Sequence, residues 1–260
     1  LNIYCEIFSF DNLPKNILEY RALILSGSPF SVHSKNAPKI DIAKIKGNVP
    51  ILGICYGAQF LADYYGGEVG KSFTREYGRA KLITHDTNNL LYGFKNNSQV
   101  WMSHADKVDK LPKGFIAVGS STNSKIAAIY SSKMDIFGLQ FHPEVTHTKI
   151  GKKILDNFSK ICGCKKSWTA SSISKSLIEK AKQDIVKEKV ILALSGGVDS
   201  SVVAAILSKA IGKQLTCIFI DTGLLRKNEV NEVKKITKSL NIQLKIIDAS
   251  RLFLLRLGSQ

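Results

Sequence analysis

The chain has 260 residues, 44% of them hydrophobic and 22% charged, with a formal net charge of +16. That length and composition exclude a disordered tail and fit one large or two ordinary domains, each with its own core. The positive balance does not by itself point to nucleic acid, because only six of the 37 basic residues are arginine and the lysines are scattered among Ile and Asn.

No apolar run is long enough to cross a bilayer. The opening "LNIYCEIFSF" lacks the basic flank and small-residue cleavage site of a secretory signal. Five cysteines, an odd number in a long chain, argue against a disulfide framework and fit a reducing compartment, so a cytoplasmic protein is expected.

In chain order, "RALILSG" (21–27), "VPILGI" (49–54) and "IFGLQF" (136–141) read as buried strands, and "YGAQFLADYYGG" (56–67) as a helix closed by glycines. A polar, Ser-rich and basic stretch, "SKICGCKKSWTASS" (159–172), reads as a connection. Beyond it Ile173, Leu177, Ile178, Ala181 and Ile185 recur at helical spacing. The strand "KVILALS" (189–195), the helix 200–212, the strand "LTCIFID" (215–221), the basic helix 227–240 and the strand in 242–250 follow. Strands alternating with helices predict an α/β fold of two doubly wound, mostly parallel-sheet domains. The expected division is 1–160, a linker 161–172, and 173–260. Ligands in such sheets sit beyond the carboxyl ends of the strands, where Gly27, Cys55 and His142 all fall.

Gly53-Ile54-Cys55-Tyr56-Gly57 has the form of a nucleophile elbow with Cys in place of Ser. A helix starting at Tyr56 would offer free N–H groups and a positive dipole end to a sulfur anion. "FHPEV" (141–145) supplies His142 as a base directly after a strand, and Glu144 two residues on can orient its imidazole. "SGSP" (26–29) adds a glycine turn whose Gly27 N–H could join that of Tyr56 in binding an oxyanion. Taken singly, Cys55 reads as a buried core thiol and His142 as a hydrogen-bonded loop residue. Taken together at the ends of strands of one sheet, they read as a catalytic set.

"GICYGAQ", "SGSP" and "HPEV" together resemble the class I (triad) glutamine amidotransferase family. That resemblance implies attack by Cys55 on the side-chain amide of glutamine, a glutamyl thioester and release of ammonia. It implies too that Gln59 contacts the substrate glutamine. "WMSHAD" (101–106) is similar to the segment that holds its α-amino and carboxyl groups, here through Ser103 and Asp106, with Ala105 where the family usually has Gly.

In the second half, "LALSGGVDSSVV" (192–203) is a strand, a glycine turn and a helix start. Successive N–H groups in such a turn form an anion nest, with Gly196, Gly197 and Val198 supplying backbone and Ser195, Ser200 and Ser201 supplying hydroxyls. Asp199 would repel a bare phosphate and is expected to meet Mg²⁺ or make a structural contact. The loop lacks the Gly-Lys-Ser/Thr ending of a Walker A motif. It resembles the PP-loop of the ATP pyrophosphatase family, whose domain is of the adenine-nucleotide α-hydrolase type. "FIDTGLLRKNE" (219–229) resembles that family's second strand end, with Asp221 and Thr222 as candidates near the adenosine.

A glutaminase followed by a PP-loop domain resembles the glutamine-hydrolysing GMP synthase family, as do "TREYGRA" (74–80) and "MSHADKV" (102–108). The resemblance implies glutamine, ATP with Mg²⁺ and XMP as substrates, no tightly bound cofactor and no membrane or nucleic-acid partner. It also implies a homodimer for the full-length family member. Against the family pattern, the chain is expected to be a fragment, lacking the first strand and helix of the glutaminase sheet and the end of the second domain. Two other readings remain open from the residues: a PP-loop tRNA-modifying enzyme, and an inactive paralogue that binds glutamine or nucleotide. The pair Cys162-x-Cys164 reads as linker residues rather than as a metal site.

Overall fold

The computed structural model describes residues 1–45, 49–86 and 90–258, with backbone alone at 72–75. Thr74 and Arg75 of the "TREYGRA" string, and the final Ser259 and Gln260, therefore lie outside the residues whose side chains are described. Two compact units emerge, residues 1 and 3–166, and residues 2 and 167 onward.

The first unit contains β1 (Leu23–Leu25), β2 (Ile51–Ile54), α1 (Tyr56–Tyr64), β3 (Glu68–Thr84), β4 (Ser98–Lys110), β5 (Ile116–Ser120), β6 (Ala128–Ser131), β7 (Ile136–Leu139) and α2 (Gly151–Ile161). The seven strands form one sheet in the order β1-β2-β7-β6-β5-β3-β4. Pairing is parallel from β1 through β2 to β7 and antiparallel beyond. The parallel strands are the three apolar runs legible in the sequence. Of these, β2 and β7 are buried on both faces, which is why they read as unbroken hydrophobic stretches, while β1 at the sheet edge leaves Ile24 exposed.

The period-2 alternation of these strands sorts their side chains between two cores. Leu52, Ile54, Phe137 and Leu139 point to a cluster completed by Ile154 and Phe158 of α2. Ile51 and Ile136 point to the opposite cluster, with Tyr56, Phe60 and Leu61 of α1. On that second face the next inward positions are Gly53 and Gly138. A Cβ at Gly53 would lie 2.5 Å from the backbone of Gly57, and one at Gly138 would lie 3.1 Å from the Ala58 Cβ. Missing side chains thus let α1 settle directly onto the sheet.

The long β3–β4 hairpin was not picked out from the sequence. It carries an irregularity in register between Lys71 and Glu76. In β4, Val100, Met102, His104, Asp106 and Val108 are buried while their neighbours are less so, a strict alternation in which two polar residues hold inward positions.

Cys162 follows α2 and packs into the first unit's core, where burial pushes its thiol up to about 12. The start of the stretch that composition marks as a connection is therefore core, and Cys162 is a core thiol rather than a linker residue.

The second unit contains α3 (Ala170–Ile185), β8 (Val190–Ala193), α4 (Val198–Ile211), β9 (Leu215–Asp221), α5 (Glu229–Ser239), β10 (Gln243–Asp248) and α6 (Ser250–Leu257). Thr169 and Ser172 form a reciprocal capping box, which starts α3 before the first apolar residue of its pattern. The sheet is parallel throughout, in the order β10-β9-β8. Cys217 and Phe219 of β9 pack with Ala204 of α4 and Val233 of α5 on one face. Ile191, Ile220 and Ile247 lie exposed on the other. Among the described residues no helix is long and apolar enough to cross a membrane.

The close seat of α1 gives a stability prediction. A Cβ at Gly57 would come within 2.1 Å of the Leu25 carbonyl oxygen, a rigid backbone atom. Gly57→Ala should therefore destabilise the first unit by about 3 kcal/mol, the upper range of overpacking costs. Urea denaturation of both proteins measures this, and an unchanged midpoint would show that α1 does not sit against β1.

Candidate active site

Cys55 stands between the last residue of β2 and the first of α1, with φ +52° and ψ −107°. A non-glycine residue there is strained by roughly 1–3 kcal/mol, and such strain persists only when the surroundings over-determine it. They do. The Cys55 N–H donates to the Leu139 carbonyl of β7 at 2.7 Å, and its own carbonyl accepts from Ala58 and Gln59 N–H, each at 3.1 Å. The positive φ falls on the cysteine itself. The flanking Gly53 and Gly57 are needed for close approach rather than for an unusual φ.

His142 lies just beyond β7. Its N–H donates to the Trp101 carbonyl of β4 at 3.0 Å, and its carbonyl accepts from the Thr148 hydroxyl at 2.5 Å. The Thr148 oxygen in turn accepts from the Trp101 N–H at 3.0 Å. This stitching fixes where the imidazole stands. Nδ1 is 2.6 Å from Glu144 Oε1, so the proton on that nitrogen is held by the carboxylate and Nε2 is directed elsewhere.

The Cys55 sulfur is the largest cause that raises the His142 pKa, to about 10, with Glu144 second and burial opposing both. Nε2 itself is buried without an aligned hydrogen bond. The interaction with sulfur is thus a loose attraction of the kind that tightens in a substrate complex. Burial pushes the Glu144 carboxyl up, but the His142 hydrogen bond and the residue's own backbone outweigh it, and the net shift is downward.

Gly27 closes the group. A Cβ there would stand 3.2 Å from His142 Cε1 and 3.8 Å from Cys55 Cβ, so the glycine backbone faces both residues. Tyr56 turns its ring into the core, stacked on Phe60, with its hydroxyl on the Pro38 carbonyl at 2.5 Å. Only its backbone N–H, without an intrahelical acceptor in the first turn, remains to face a substrate.

Of Gln59, Ser103 and Asp106, Ser103 touches the same sulfur and the other two are linked to it through Gln140. Cys55 Sγ is 3.5 Å from the Ser103 carbonyl, so that residue meets the cysteine through backbone. Asp106 is buried and its Oδ2 has no hydrogen-bond partner, an unsatisfied carboxylate oxygen suited to a cationic group. The Gln59 amide nitrogen donates to the Asp106 carbonyl at 2.7 Å and to Gln140 Oε1 at 3.3 Å.

Three residues of this surround were missed in the sequence: Gln140, His104 and Glu76. His104 Nδ1 meets the Asp106 carbonyl at 3.0 Å, and its Nε2 approaches Glu76 Oε2 to 3.2 Å. Burial pushes the His104 pKa down despite Glu76. For His104 the one signal is a polar residue in step with Val100 and Met102 of β4, and it becomes readable only once the strand is known; Gln140 and Glu76 carry no local signal.

In the second unit Ser195 to Ser201 form the turn from β8 into α4, with Gly196 at φ +77°. Ser195 and Ser200 hydroxyls are 3.0 Å apart, while Ser200 and Ser201 donate to the Gly197 carbonyl at 3.1 and 2.8 Å. Val198 and Asp199 are exposed at the start of α4. Asp221, at the end of β9, accepts from the Gly223 N–H at 2.9 Å, and Thr222 from the Leu224 N–H at 3.4 Å. Both thus serve turns in this state. Among the described residues no three His, Cys, Asp or Glu side chains gather as a metal site.

The family model for Glutamine amidotransferase class-I matches residues 1–162. The chain belongs to the class-I glutamine amidotransferases. A second model, for NAD synthase, matches residues 170–255. The chain is 46% identical over 256 residues to a protein of Christiangramia forsetii named GMP synthase [glutamine-hydrolyzing], covering 98% of this chain and 50% of that protein. It is 47% identical over 255 residues to one of Phocaeicola vulgatus with the same name, covering 97% and 49%. The chain thus spans about half the length of the curated relatives it matches. A solved glutamine amido transferase from Methylobacillus flagellatus aligns at 22% identity and TM-score 0.45, covering 58% of this chain and 60% of that one.

In this amidotransferase the His142–Glu144 pair sets a pH window for stability. A raised His142 contributes stability that is whole below about 6.5 and is lost as pH climbs through about 10. A lowered Glu144 contributes above its ordinary 4.5 and loses its share as pH falls below it. Glu144→Gln should cost roughly 1 kcal/mol, a figure discounted for the half-exposed carboxylate, between about pH 5 and 8. The cost should fade above pH 10. Denaturation midpoints of both proteins across pH measure it, and a cost that stays flat to pH 11 would remove the charge pair.

Proposed function

We propose that the first unit hydrolyses glutamine through Cys55, with His142 as its base and Glu144 as the group that orients the ring. The carrying observation is the 2.6 Å contact of Glu144 with Nδ1, which leaves the other nitrogen to the sulfur of a cysteine held at a positive φ. Sγ attacks the side-chain carbonyl carbon of glutamine. The C–N bond breaks, and His142 passes the proton to the leaving nitrogen, which departs as ammonia. Water activated by the same imidazole then cleaves the thioester to glutamate. Gly27 and Tyr56 N–H groups would receive the oxyanion. Gln59, Ser103 and Asp106 would line the glutamine site, the Asp106 carboxylate facing the α-amino group.

We infer that the second unit binds the phosphates of ATP, carried with Mg²⁺, at the turn of Ser195, Gly196, Gly197, Val198, Asp199, Ser200 and Ser201. Asp221 and Thr222 would lie near the adenosine. The Gly196 conformation and the start of α4 support the phosphate reading, and Asp199 in the first turn suits a metal-bound rather than a bare phosphate. In the whole protein, as the resemblance to the GMP synthase family implies, the ammonia would aminate adenylated XMP. The balance is XMP, ATP, glutamine and water giving GMP, AMP, pyrophosphate and glutamate. A cytoplasmic homodimer is the corresponding whole-protein proposal.

Two tests follow. Glutamate release by the chain should fall at least 10³-fold in Cys55→Ala and 10²-fold or more in His142→Ala. Diazo-oxo-norleucine should label Cys55 ahead of the other four cysteines, and equal labelling of all five would refute the nucleophile. Gly196→Val should abolish Mg-ATP binding, measured by calorimetry, because its φ suits glycine and its Cβ would stand 3.2 Å from Glu229 and Val233. Undiminished binding in that variant would move the nucleotide elsewhere.

A further inference from the structure

Gln140 is buried at the carboxyl end of β7, one residue past the strand, and its backbone N–H is spent on the Ala127 carbonyl at 2.9 Å. Its side chain lies between the Gln59 amide and the cysteine. Gln59 Nε2 is 3.3 Å from Gln140 Oε1, and Gln140 Nε2 is 3.8 Å from Cys55 Sγ. We propose that Gln140 is a positioning residue for the Cys55 nucleophile, its amide locked in one orientation so that the N–H end faces the sulfur.

The locking follows from donor and acceptor arithmetic. The Asp106 carbonyl can only accept, so the Gln59 atom 2.7 Å from it is the amide nitrogen. That nitrogen's remaining proton needs an acceptor, and Gln140 must therefore present its oxygen. The Gln140 nitrogen is left for the sulfur. A backbone carbonyl of β4 thus dictates, through Gln59, which end of the Gln140 amide meets Cys55. His104 supports the start of the relay, since its Nδ1 shares the same carbonyl at 3.0 Å.

The sulfur then sits between opposite partners. The Ser103 carbonyl accepts from the S–H of the thiol. The Gln140 N–H donates to sulfur lone pairs, a contact that strengthens when sulfur carries a negative charge. His142 exchanges the proton. Without Gln140, the Ser103 carbonyl would favour the protonated sulfur.

This inference rests on Cys55 being the reactive thiol, and the test separates the two. The probe is iodoacetamide, which needs no glutamine site, applied to the full chain from pH 5 to 9 with the modified cysteine identified by peptide mapping. Gln140→Met keeps length and bulk and removes the donor. It should raise the pH of half-maximal Cys55 alkylation and slow the reaction about tenfold at neutral pH, with the melting temperature within a few degrees of wild type. Gln59→Leu, which frees Gln140 to turn over, should shift the profile the same way by less. If Gln140→Met fails to fold, Gln140→Glu serves, since an ionised carboxylate of the same shape has no donor and should suppress alkylation further. A profile unchanged in whichever variant folds overturns the proposal. If Cys55→Ser leaves the fast alkylation of the wild-type chain intact, the nucleophile assignment itself fails, whatever Gln140 does.

Discussion

The absence of room between α1 and the sheet governs the first unit. With no Cβ tolerated at Gly53 or Gly57, helix and strands meet at backbone distance, and the chain has to reverse from strand to helix within a single residue. That residue is Cys55, which takes a positive φ and carries its sulfur up to the rim. The strain is offset by three backbone hydrogen bonds, one of them to β7. Because β7 also delivers His142, the same contact that fixes the elbow fixes the distance between nucleophile and base.

The second determinant is the inner face of β4. Its alternation is interrupted by His104 and Asp106 between the apolar positions Met102 and Val108, so a stretch of core wall becomes a polar surround for the sulfur. The strand also ties down the loop that bears His142 through Trp101 and Thr148. One hairpin therefore serves both sides of the cysteine. Buried polar groups are costly unless paired: Gln59 and His104 share the Asp106 carbonyl, and Gln59 also donates to Gln140 Oε1, whereas Glu76 Oε2 and His104 Nε2 meet as an ion pair at 3.2 Å and Asp106 Oδ2 has no hydrogen-bond partner.

In the second unit the carboxyl ends of the three parallel strands run in register, Asp221 opposite Asp248, and the Ser195–Ser201 turn follows the third. The hydroxyls there donate to one another and to the Gly197 carbonyl, so a phosphate would enter by exchanging those contacts for its own oxygens. The apolar residues on the open face, Ile191, Ile220 and Ile247, contrast with the covered face, where Cys217 and Phe219 are buried.

The sequence by itself determined the α/β class, the strand ends and the residue types of the candidate triad. Those properties are local, resting on an apolar run, a glycine turn and a histidine two positions from a carboxylate. The hairpin of β3 and β4 was illegible because its strands are long, polar on one side and irregular in register, so no short window carries the pattern. Tertiary structure alone decided which groups surround the sulfur. Gln59 reaches Asp106 across 47 positions and Gln140 reaches Cys55 across 85, and the direction of a buried amide is set by its partners rather than by its neighbours in the chain.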